Sequence, residues 1–434
     1  MKMDDMILVS VDDHVVEPPH LFDGRMPAKY ADAAPRVVRT PEGDDVWTFN
    51  GEVIPNIGLN AVAGRPPEEF GIEPTSFEEM RPGCFDLAER IKDMDAAGVL
   101  GSICFPSFPG FAGRLFAKAD DKELALAVTR AYNDWVIDEW CATYPGRMIP
   151  MALPVLWDPD LCADEVRRAA AKGCRSMTFT ENPHALGYPS FHQDHWDPLW
   201  RALSDEGTVL NVHLGSSGQL PGTVPDAPVD VMITLQPMNM CLAATDLLWS
   251  RVFKAFPDVR VALSEGGIGW IPYFLDRIDR GYDTHRAWTH QDVGEGVRPS
   301  DLFRKHFLTC FVTDPVGLAM RDRIGVENIC WELDYPHSEA PWPHSAEAVW
   351  EQMVEAGCSD ADIDAITHGN AMRWYGYDPF SVIPREQCTV GALRERAAGH
   401  DVSIRSYDQG RHAAPAGATS NGPSLADIQA GINQ

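Results

Sequence analysis

The sequence has no run of about 18 consecutive apolar residues, which is the length that spans a bilayer. Its first residues, MKMDDMILVSVDDH, lack the apolar segment of a signal peptide. None of its ten cysteines forms a Cys-x-x-Cys pair, so a zinc knuckle or a thioredoxin-type motif is not indicated. These absences predict a cytoplasmic protein with reduced, buried thiols and no membrane partner.

Basic residues are scarce, because 36 Lys and Arg stand against 64 Asp and Glu, which gives a formal net charge of -28. Such a charge repels the phosphate backbone of nucleic acids and the surface of anionic lipids. We therefore expect no nucleic-acid partner, and the charge does not identify a substrate.

Short apolar runs alternate with helical patterns along the chain. The runs cover 6–11, 101–105, 148–153, 174–179, 208–213, 259–263, 307–312 and 328–333. Continuous apolar runs between helices are typical of strands buried on both faces of a parallel sheet. Eight such units predict an α/β fold of the (β/α)₈ TIM-barrel type, with an open doubly wound sheet as the rival.

Two regions fall outside the repeat. Residues 36–82 interrupt the first unit, and Asn50-Gly51 between two β-type runs predicts a small β-hairpin insertion after strand 1, near the barrel mouth. The stretch 411–423 is rich in Gly, Ala, Ser and Pro and is expected to be flexible. The predicted domains are a barrel over residues 1–378, including the insertion, and a C-terminal extension over residues 379–434.

Histidine and carboxylate side chains end three of the predicted strands, where a TIM barrel places its active site. Asp12 and His14 follow the first strand and share one face, because side chains alternate along a strand. His213 ends the fifth strand and Asp334 ends the eighth. Two imidazoles and two carboxylates suit Zn²⁺, Mn²⁺ or Fe²⁺. Asp13 points the other way and is expected to make structural hydrogen bonds.

These motifs together resemble the amidohydrolase superfamily, in particular the branch of 2-amino-3-carboxymuconate 6-semialdehyde decarboxylase and γ-resorcylate decarboxylase. The resemblance spans roughly residues 6 to 378 and includes DDHVVEPP (12–19), RPG (81–83), YNDW (132–135), LDYPH (333–337), GNA (369–371) and His213. It implies that Asp12, His14, His213 and Asp334 bind one divalent metal ion, with Zn²⁺ as the first choice. It also implies a homodimer.

The chain departs from the resembled pattern at two positions. Asp12 is the first ligand where many relatives have His or Glu, which leaves the metal preference open. Glu265 stands after the sixth strand, where many relatives place a His that assists catalysis. A carboxylate there can serve as a general acid or base, as a partner of a metal ligand, or as a ligand itself.

Other side chains are candidates on weaker patterns. His337 can donate a proton or orient the substrate, or it can pack against Trp342 or Tyr335. Glu17 and Arg81 are candidate substrate-binding residues, with loop capping and a solvated loop arginine as the respective alternatives. The candidate catalytic residues are Glu265, Asp334 and His337.

The resemblance implies metal-dependent, non-oxidative decarboxylation of a small aromatic or unsaturated carboxylate, with Glu265 or His337 protonating the carbon that loses CO₂. The alternative is hydrolysis of an amide, lactone or C–C bond, in which Asp334 takes a proton from metal-bound water, and hydration of a double bond is a variant. A non-catalytic binding barrel is a third class, and the retention of all four ligands argues against it.

Overall fold

The structure is a computed structural model that describes residues 1–407 and 424–426. In these residues the strands are β1 Leu8–Val15, β2 Arg36–Arg39, β3 Asp45–Phe49, β4 Glu52–Ile54, β5 Val99–Pro106, β6 Met148–Ile149, β7 Ser176–Thr180, β8 Val209–His213, β9 Arg260–Ser264, β10 Phe307–Phe311 and β11 Ile329–Trp331. The α-helices are α1 Leu87–Ala97, α2 Arg114–Lys118, α3 Lys122–Trp135, α4 Pro159–Ala171, α5 Asp197–Glu206, α6 Val229–Leu248, α7 Val252–Ala255, α8 Ile271–Thr289, α9 Pro299–His306, α10 Pro315–Ala319, α11 Arg321–Ile324, α12 Ser345–Glu355, α13 Asp360–Asp364, α14 Asn370–Tyr375 and α15 Val390–Arg396.

Eight parallel strands surround one core. Strands β1, β5 and β6 form one parallel sheet, and β7 to β11 form a second in consecutive order. A parallel bridge between Ala152 and Met177 joins the two sheets on one side. On the other side the N–H of Asp334 donates to the carbonyl of Asp12 at 2.8 Å. The predicted TIM barrel is confirmed, and these backbone contacts join its two sheets.

Helix α1 begins and ends at the capping residues that the sequence indicates, and strand β5 follows it directly. The Asp86 side chain accepts a hydrogen bond from the N–H of Glu89 at 3.0 Å, which caps α1. Gly98, at φ 79°, ends that helix in the left-handed conformation directly before β5. Because all eight barrel strands run in parallel, their carboxyl ends meet at one mouth of the barrel.

The insertion is a three-stranded antiparallel sheet of β2, β3 and β4. The predicted hairpin turn is present, with Asn50 at φ 52° and Gly51 at φ 80°. Strand β2 was not predicted, because its side chains are mostly exposed and form no apolar run. The insertion is anchored by Trp47, which is fully buried and stacks on Phe108, a residue of the loop after β5, at 4.2 Å between ring centroids.

The described part of the C-terminal extension packs against the barrel. The N–H of Val390 donates to the carbonyl of Met6 at 2.8 Å, and Leu393 joins a small buried cluster with Ile7 and Leu100. The domain boundary at residue 378 stays a prediction. The stretch 411–423 lies outside the described residues.

Helix α6 is long and apolar enough to cross a membrane when judged by length and composition alone, because an 18-residue window within it has a mean hydropathy of 1.2, and 33% of that window is buried. It is the one such helix in the described residues. It contains Asp230, Pro237 and Asp246, and its buried Met240 belongs to the main core of the protein. The core helix of a globular protein can have the same length and composition.

Candidate active site

The barrel brings the four predicted metal ligands together at its mouth, and all four are buried. The Nε2 atom of His14 lies 3.6 Å from Asp12 Oδ1 and 3.2 Å from Asp334 Oδ1. The Nε2 atom of His213 lies 3.6 Å from Asp12 Oδ2. Donor atoms of Asp12, His14 and His213 all lie within 4.8 Å of one another, as do those of His14, Asp334 and His337. These separations are short enough for the donor atoms to share one ion.

The site also leaves polar atoms that a cation would satisfy. Eight buried nitrogen and oxygen atoms here make no well-aligned hydrogen bond within the described residues, although some of them lie close to a neighbouring ligand residue: both carboxylate oxygens of Asp12 and of Asp334, both ring nitrogens of His14, and Nε2 of His213 and of His337. A buried polar group without a partner costs about 1–3 kcal/mol. A divalent ion would satisfy several of these atoms at once, so the residues present fit a metal site.

Neighbouring groups orient the ligands. The Nδ1 atom of His213 lies 2.7 Å from the carbonyl of Leu214, which can only accept, so Nδ1 carries the proton and Nε2 offers its lone pair to the site. Asp13 accepts hydrogen bonds from the N–H of Tyr335 at 3.0 Å and from the hydroxyls of Ser10 and Ser102. Asp13 therefore makes the structural hydrogen bonds expected of it.

Protonation states at three of the four predicted ligands, His14, His213 and Asp334, agree with metal binding, whereas burial and the neighbouring carboxylates raise the pKa of Asp12 well above its usual range. Burial lowers the pKa of His213 to about 4, and burial together with the nearby His337 holds the pKa of His14 well below its usual range. Burial alone would raise the pKa of Asp334, but His337 and His14 outweigh it and hold that pKa well below its usual range. Neutral imidazoles and an ionised carboxylate are the forms that ligate a metal.

Glu265 projects into the same cluster. Its Oε2 lies 3.2 Å from His213 Nε2, and its backbone adopts the left-handed conformation with φ 55°, which is uncommon outside glycine. Asp334 has a similar φ of 61°. Burial, followed by the charges of Asp334 and two further glutamates, raises the pKa of Glu265 well above its usual range. The protonated form of the carboxyl group is therefore favoured in this position.

His337 lies against the predicted metal ligands His14 and Asp334 rather than against Trp342 or Tyr335. Its ring stacks on His14 at 3.7 Å between centroids, and its Nδ1 lies 2.9 Å from Asp334 Oδ1. The remaining ring nitrogen, Nε2, is buried. His337 is therefore within reach of any group bound at the site.

Glu17 and Arg81 make their contacts with the protein itself. Glu17 accepts hydrogen bonds from the N–H groups of Ser107 at 3.0 Å and Phe108 at 2.8 Å, which supports the loop-capping alternative. Arg81 is not the solvated loop arginine considered above, because it is only 4% exposed and its Nη2 and Nε lie 2.7 and 3.2 Å from the two Asp93 oxygens. Substrate binding by either residue remains an untested prediction, and the geometry does not favour it.

Sequence reasoning missed two residues at the site. Glu332 is fully buried, its Oε2 accepts the N–H of Glu265 at 3.3 Å, and burial together with Asp334 raises its pKa to about 8. Its spacing of two residues from Asp334 was a usable signal, because such residues share one face of a strand. Phe111 places its ring 4.2 Å from that of His213, and its position in a loop gave no signal.

Eight parallel barrel strands with the predicted ligand residues clustered at their carboxyl ends are the arrangement typical of a metal-dependent barrel enzyme. The amidohydrolase family model matches residues 20–377, so the chain belongs to the amidohydrolase family. The expected superfamily is thereby confirmed.

Curated relatives include members of the expected branch. The chain is 23% identical over 313 residues to 2-amino-3-carboxymuconate-6-semialdehyde decarboxylase of Caenorhabditis elegans, covering 60% of this chain and 74% of the relative. It is 26% identical over 343 residues to the γ-resorcylate decarboxylase of Rhodococcus jostii, covering 74% of this chain and 95% of the relative.

Solved structures share the fold. An amidohydrolase of Mycobacterium avium subsp. paratuberculosis superposes with a TM-score of 0.65 at 20% identity, covering 85% of this chain and 97% of that one. A dihydroxybenzoic acid decarboxylase from Polaromonas, solved with bound manganese and the inhibitor 2-nitroresorcinol, gives a TM-score of 0.56 at 17% identity and covers 88% and 99% of the two chains.

Proposed function

We propose that this protein is a metal-dependent decarboxylase that releases CO₂, without oxidation, from a small aromatic or unsaturated carboxylate. The observation that carries the proposal is the buried cluster of unpartnered donor atoms from Asp12, His14, His213 and Asp334 at the barrel mouth. The relatives named as decarboxylases support the choice of reaction.

Asp12, His14, His213 and Asp334 would hold one divalent ion. Two imidazoles and two carboxylates suit Zn²⁺, which we propose first, and also Mn²⁺ or Fe²⁺. Manganese is bound in the Polaromonas relative. When bound, the ion supplies Lewis-acid polarisation of the substrate carboxylate or of a neighbouring hydroxyl.

Glu265 is the proposed proton donor. Its raised pKa favours the protonated carboxyl group, which can transfer a proton to the substrate carbon that bears the carboxylate. The C–C bond then breaks, its electron pair returns to the ring, CO₂ leaves, and Glu265 regains a proton from solvent. His337, whose buried Nε2 lies beside the ligands, is the second candidate for this transfer.

Phe111 gives the site an apolar, aromatic border beside the imidazoles of His14 and His213, with its ring tilted by 48° and 49° to theirs. The Phe111 ring lies 4.2 Å from His213 and 4.9 Å from His14 between centroids. Aromatic rings pack favourably at such distances in offset or tilted arrangements. This border supports a planar, unsaturated substrate.

Hydrolysis is less well supported. It would require Asp334 to accept a proton from water, but the facing histidines outweigh burial and hold the pKa of that carboxyl well below its usual range. A strongly ionised carboxylate is a good metal ligand and a weak base. We therefore assign Asp334 to metal binding rather than to proton transfer.

We also propose that the protein is a cytoplasmic homodimer. Exposed apolar side chains on α6 and α8 support self-association, namely Ile233 (48%), Leu242 (67%), Tyr273 (73%) and Trp288 (70%). Light scattering after gel filtration tests the dimer, and a monomeric mass at micromolar concentration would contradict it.

Substrate screening tests the reaction. Metal-loaded protein is incubated with hydroxylated benzoates, among them 2,6-dihydroxybenzoate, and with unsaturated carboxylates, and CO₂ release is measured. Esters and lactones are assayed in parallel for acid release. We expect CO₂ from at least one carboxylate, whereas turnover of a lactone with no CO₂ from any carboxylate would favour hydrolysis.

A further inference from the structure

The C-terminal extension contacts a buried carboxylate, that of Asp93, which the proposed reaction does not use. His400 Nε2 lies 2.7 Å from Asp93 Oδ1, and because a carboxylate only accepts, the imidazole donates. The carbonyl of the next residue, Asp401, accepts a hydrogen bond from Arg81 Nη2 at 2.8 Å. The Asp93 side chain is 2% exposed and that of His400 is 15% exposed.

Asp93 gathers several donors in a tightly packed space. Arg81 donates to both of its oxygens, at 2.7 and 3.2 Å, and the hydroxyl of Tyr335 donates to Oδ2 at 2.6 Å. A Cβ atom added at Gly83 would lie 2.2 Å from Asp93 Oδ2 and 2.8 Å from the Tyr335 hydroxyl, so the space around the carboxylate is filled. His400 completes this set of donors.

Tyr335 connects Asp93 to the metal ligands. It directly follows Asp334, and its carbonyl accepts the N–H of His14 at 2.7 Å. Its own N–H donates to Asp13 Oδ1 at 3.0 Å. The Tyr335 backbone therefore fixes the backbone of His14 through a hydrogen bond and that of Asp334 through the peptide bond between them.

A second contact of the extension reaches Gly64, next to residues that hydrogen-bond to the loop after Asp334. The N–H of Arg405 donates to the carbonyl of Gly64 at 2.9 Å. The adjacent N–H groups of Val62 and Ala63 both donate to the carbonyl of Pro336 at 2.9 Å. Pro336 separates Tyr335 from His337, so the extension supports this loop from two directions.

We propose that the C-terminal extension is a positioning element of the metal site and that His400 is the positioning residue through which it acts. Its hydrogen bond to Asp93 fixes the Tyr335 hydroxyl, and Tyr335 in turn fixes the backbone at Asp334 and His14. Groups that orient metal ligands raise the affinity for the metal. This inference rests on the proposed metal site but not on the identity of the reaction.

Two substitutions at one position test the link. His400→Leu removes the donor to Asp93, whereas His400→Gln retains an N–H that can donate. The matched control is His192→Leu, because His192 Nε2 lies 2.6 Å from Asp246 Oδ1 in a pair whose side chains are 49% and 44% exposed. Metal affinity is measured by competition with a chelator, and ligand geometry by the visible spectrum of the Co²⁺-loaded protein.

We expect His400→Leu to weaken metal binding roughly tenfold, which is the lower end of the effect of direct partners of metal ligands. We also expect His400→Leu to shift the absorption bands of the Co²⁺-loaded protein. His400→Gln should restore both the metal affinity and the Co²⁺ spectrum, and His192→Leu should match the wild type in both. Equal affinity and equal spectra in the wild type and His400→Leu would overturn the proposal, as would an equal loss in His192→Leu.

A further variant covers the case in which His400→Leu does not fold. Tyr335→Phe removes the other hydrogen bond of the link to Asp93, and it is expected to weaken metal binding by a similar factor. Unchanged affinity in Tyr335→Phe would then overturn the proposal. If the wild-type protein binds no metal, the proposed function fails as well, whereas metal binding that is insensitive to these variants refutes only the role of the extension.

Discussion

Replacing Glu265 with glutamine tests the proposed proton donor. Glutamine has nearly the same volume as glutamate and remains uncharged, so the buried surroundings of His213 are preserved while the transferable proton is lost. General acid catalysis contributes about 10²–10⁴-fold. We therefore expect Glu265→Gln to lower kcat by about 10²–10⁴-fold, equivalent to about 3–5 kcal/mol of activation free energy.

The pH profile separates this role from a merely structural one. Burial, then Asp334 and the other glutamates, raises the pKa of Glu265 well above its usual range. A donor must be protonated, so kcat should be constant below this raised pKa and should fall as the pH rises through it. Glu265→Gln should lack that alkaline fall. The control is Glu351→Gln, because Glu351 is exposed on helix α12 rather than buried at the barrel mouth.

The measurements are CO₂ release under saturating substrate and metal content, both from pH 5 to pH 9. A kcat within about twofold of the wild type would refute the assignment of Glu265 as donor, since general acids contribute far more. Loss of the metal together with activity would instead identify Glu265 as a ligand, which the 3.2 Å separation from His213 Nε2 also allows.

Three further outcomes are expected. Burial and Asp334 raise the pKa of Glu332 to about 8. Between about pH 5 and pH 8 the folded protein therefore holds a proton on Glu332 that the unfolded protein has already released. The free energy of unfolding of the metal-free protein should fall as the pH rises through this range. In denaturant titrations, the free energy of unfolding of Glu332→Gln should depend less steeply on pH than that of the wild type. An identical pH dependence in the two proteins would contradict this prediction. Glu17→Leu leaves the N–H groups of Ser107 and Phe108 without their hydrogen-bond acceptor. It should lower the free energy of unfolding by about 1–3 kcal/mol per group and leave the metal content unchanged. An unchanged denaturation midpoint would contradict this prediction. Phe111→Ala should raise KM more than it lowers kcat in steady-state assays, and an unchanged KM would remove Phe111 from the substrate border.

The sequence predicts the barrel because each of its strands is a short apolar run between capped helices, and such runs bury both faces of a parallel sheet. The ligands at strand ends follow from the same pattern, since alternation places Asp12 and His14 on one face. Asn50 and Gly51 identify their hairpin, because both adopt positive φ.

Contacts between distant segments could not be predicted in this way. Arg81 pairs with Asp93 in helix α1, and His400 donates to the same carboxylate from more than 300 positions along the chain. Neither contact produces a pattern in the local sequence. Phe111 lies in a loop whose path depends on packing. Glu332 was missed although its spacing from Asp334 was a usable signal, because a single glutamate after an apolar strand resembles a solvated strand end until its burial is known.

Metal content of the purified protein tests the central claim most directly. We expect the wild type to bind about one equivalent of Zn²⁺ or Mn²⁺, measured by mass spectrometry of the metal after dialysis. Asp334→Asn and His213→Gln should lose the ion while remaining folded, and Asp322→Asn, at an exposed carboxylate, should retain it. A folded wild-type protein that binds no divalent ion, or a His213→Gln variant that binds it as tightly as the wild type, would contradict the account.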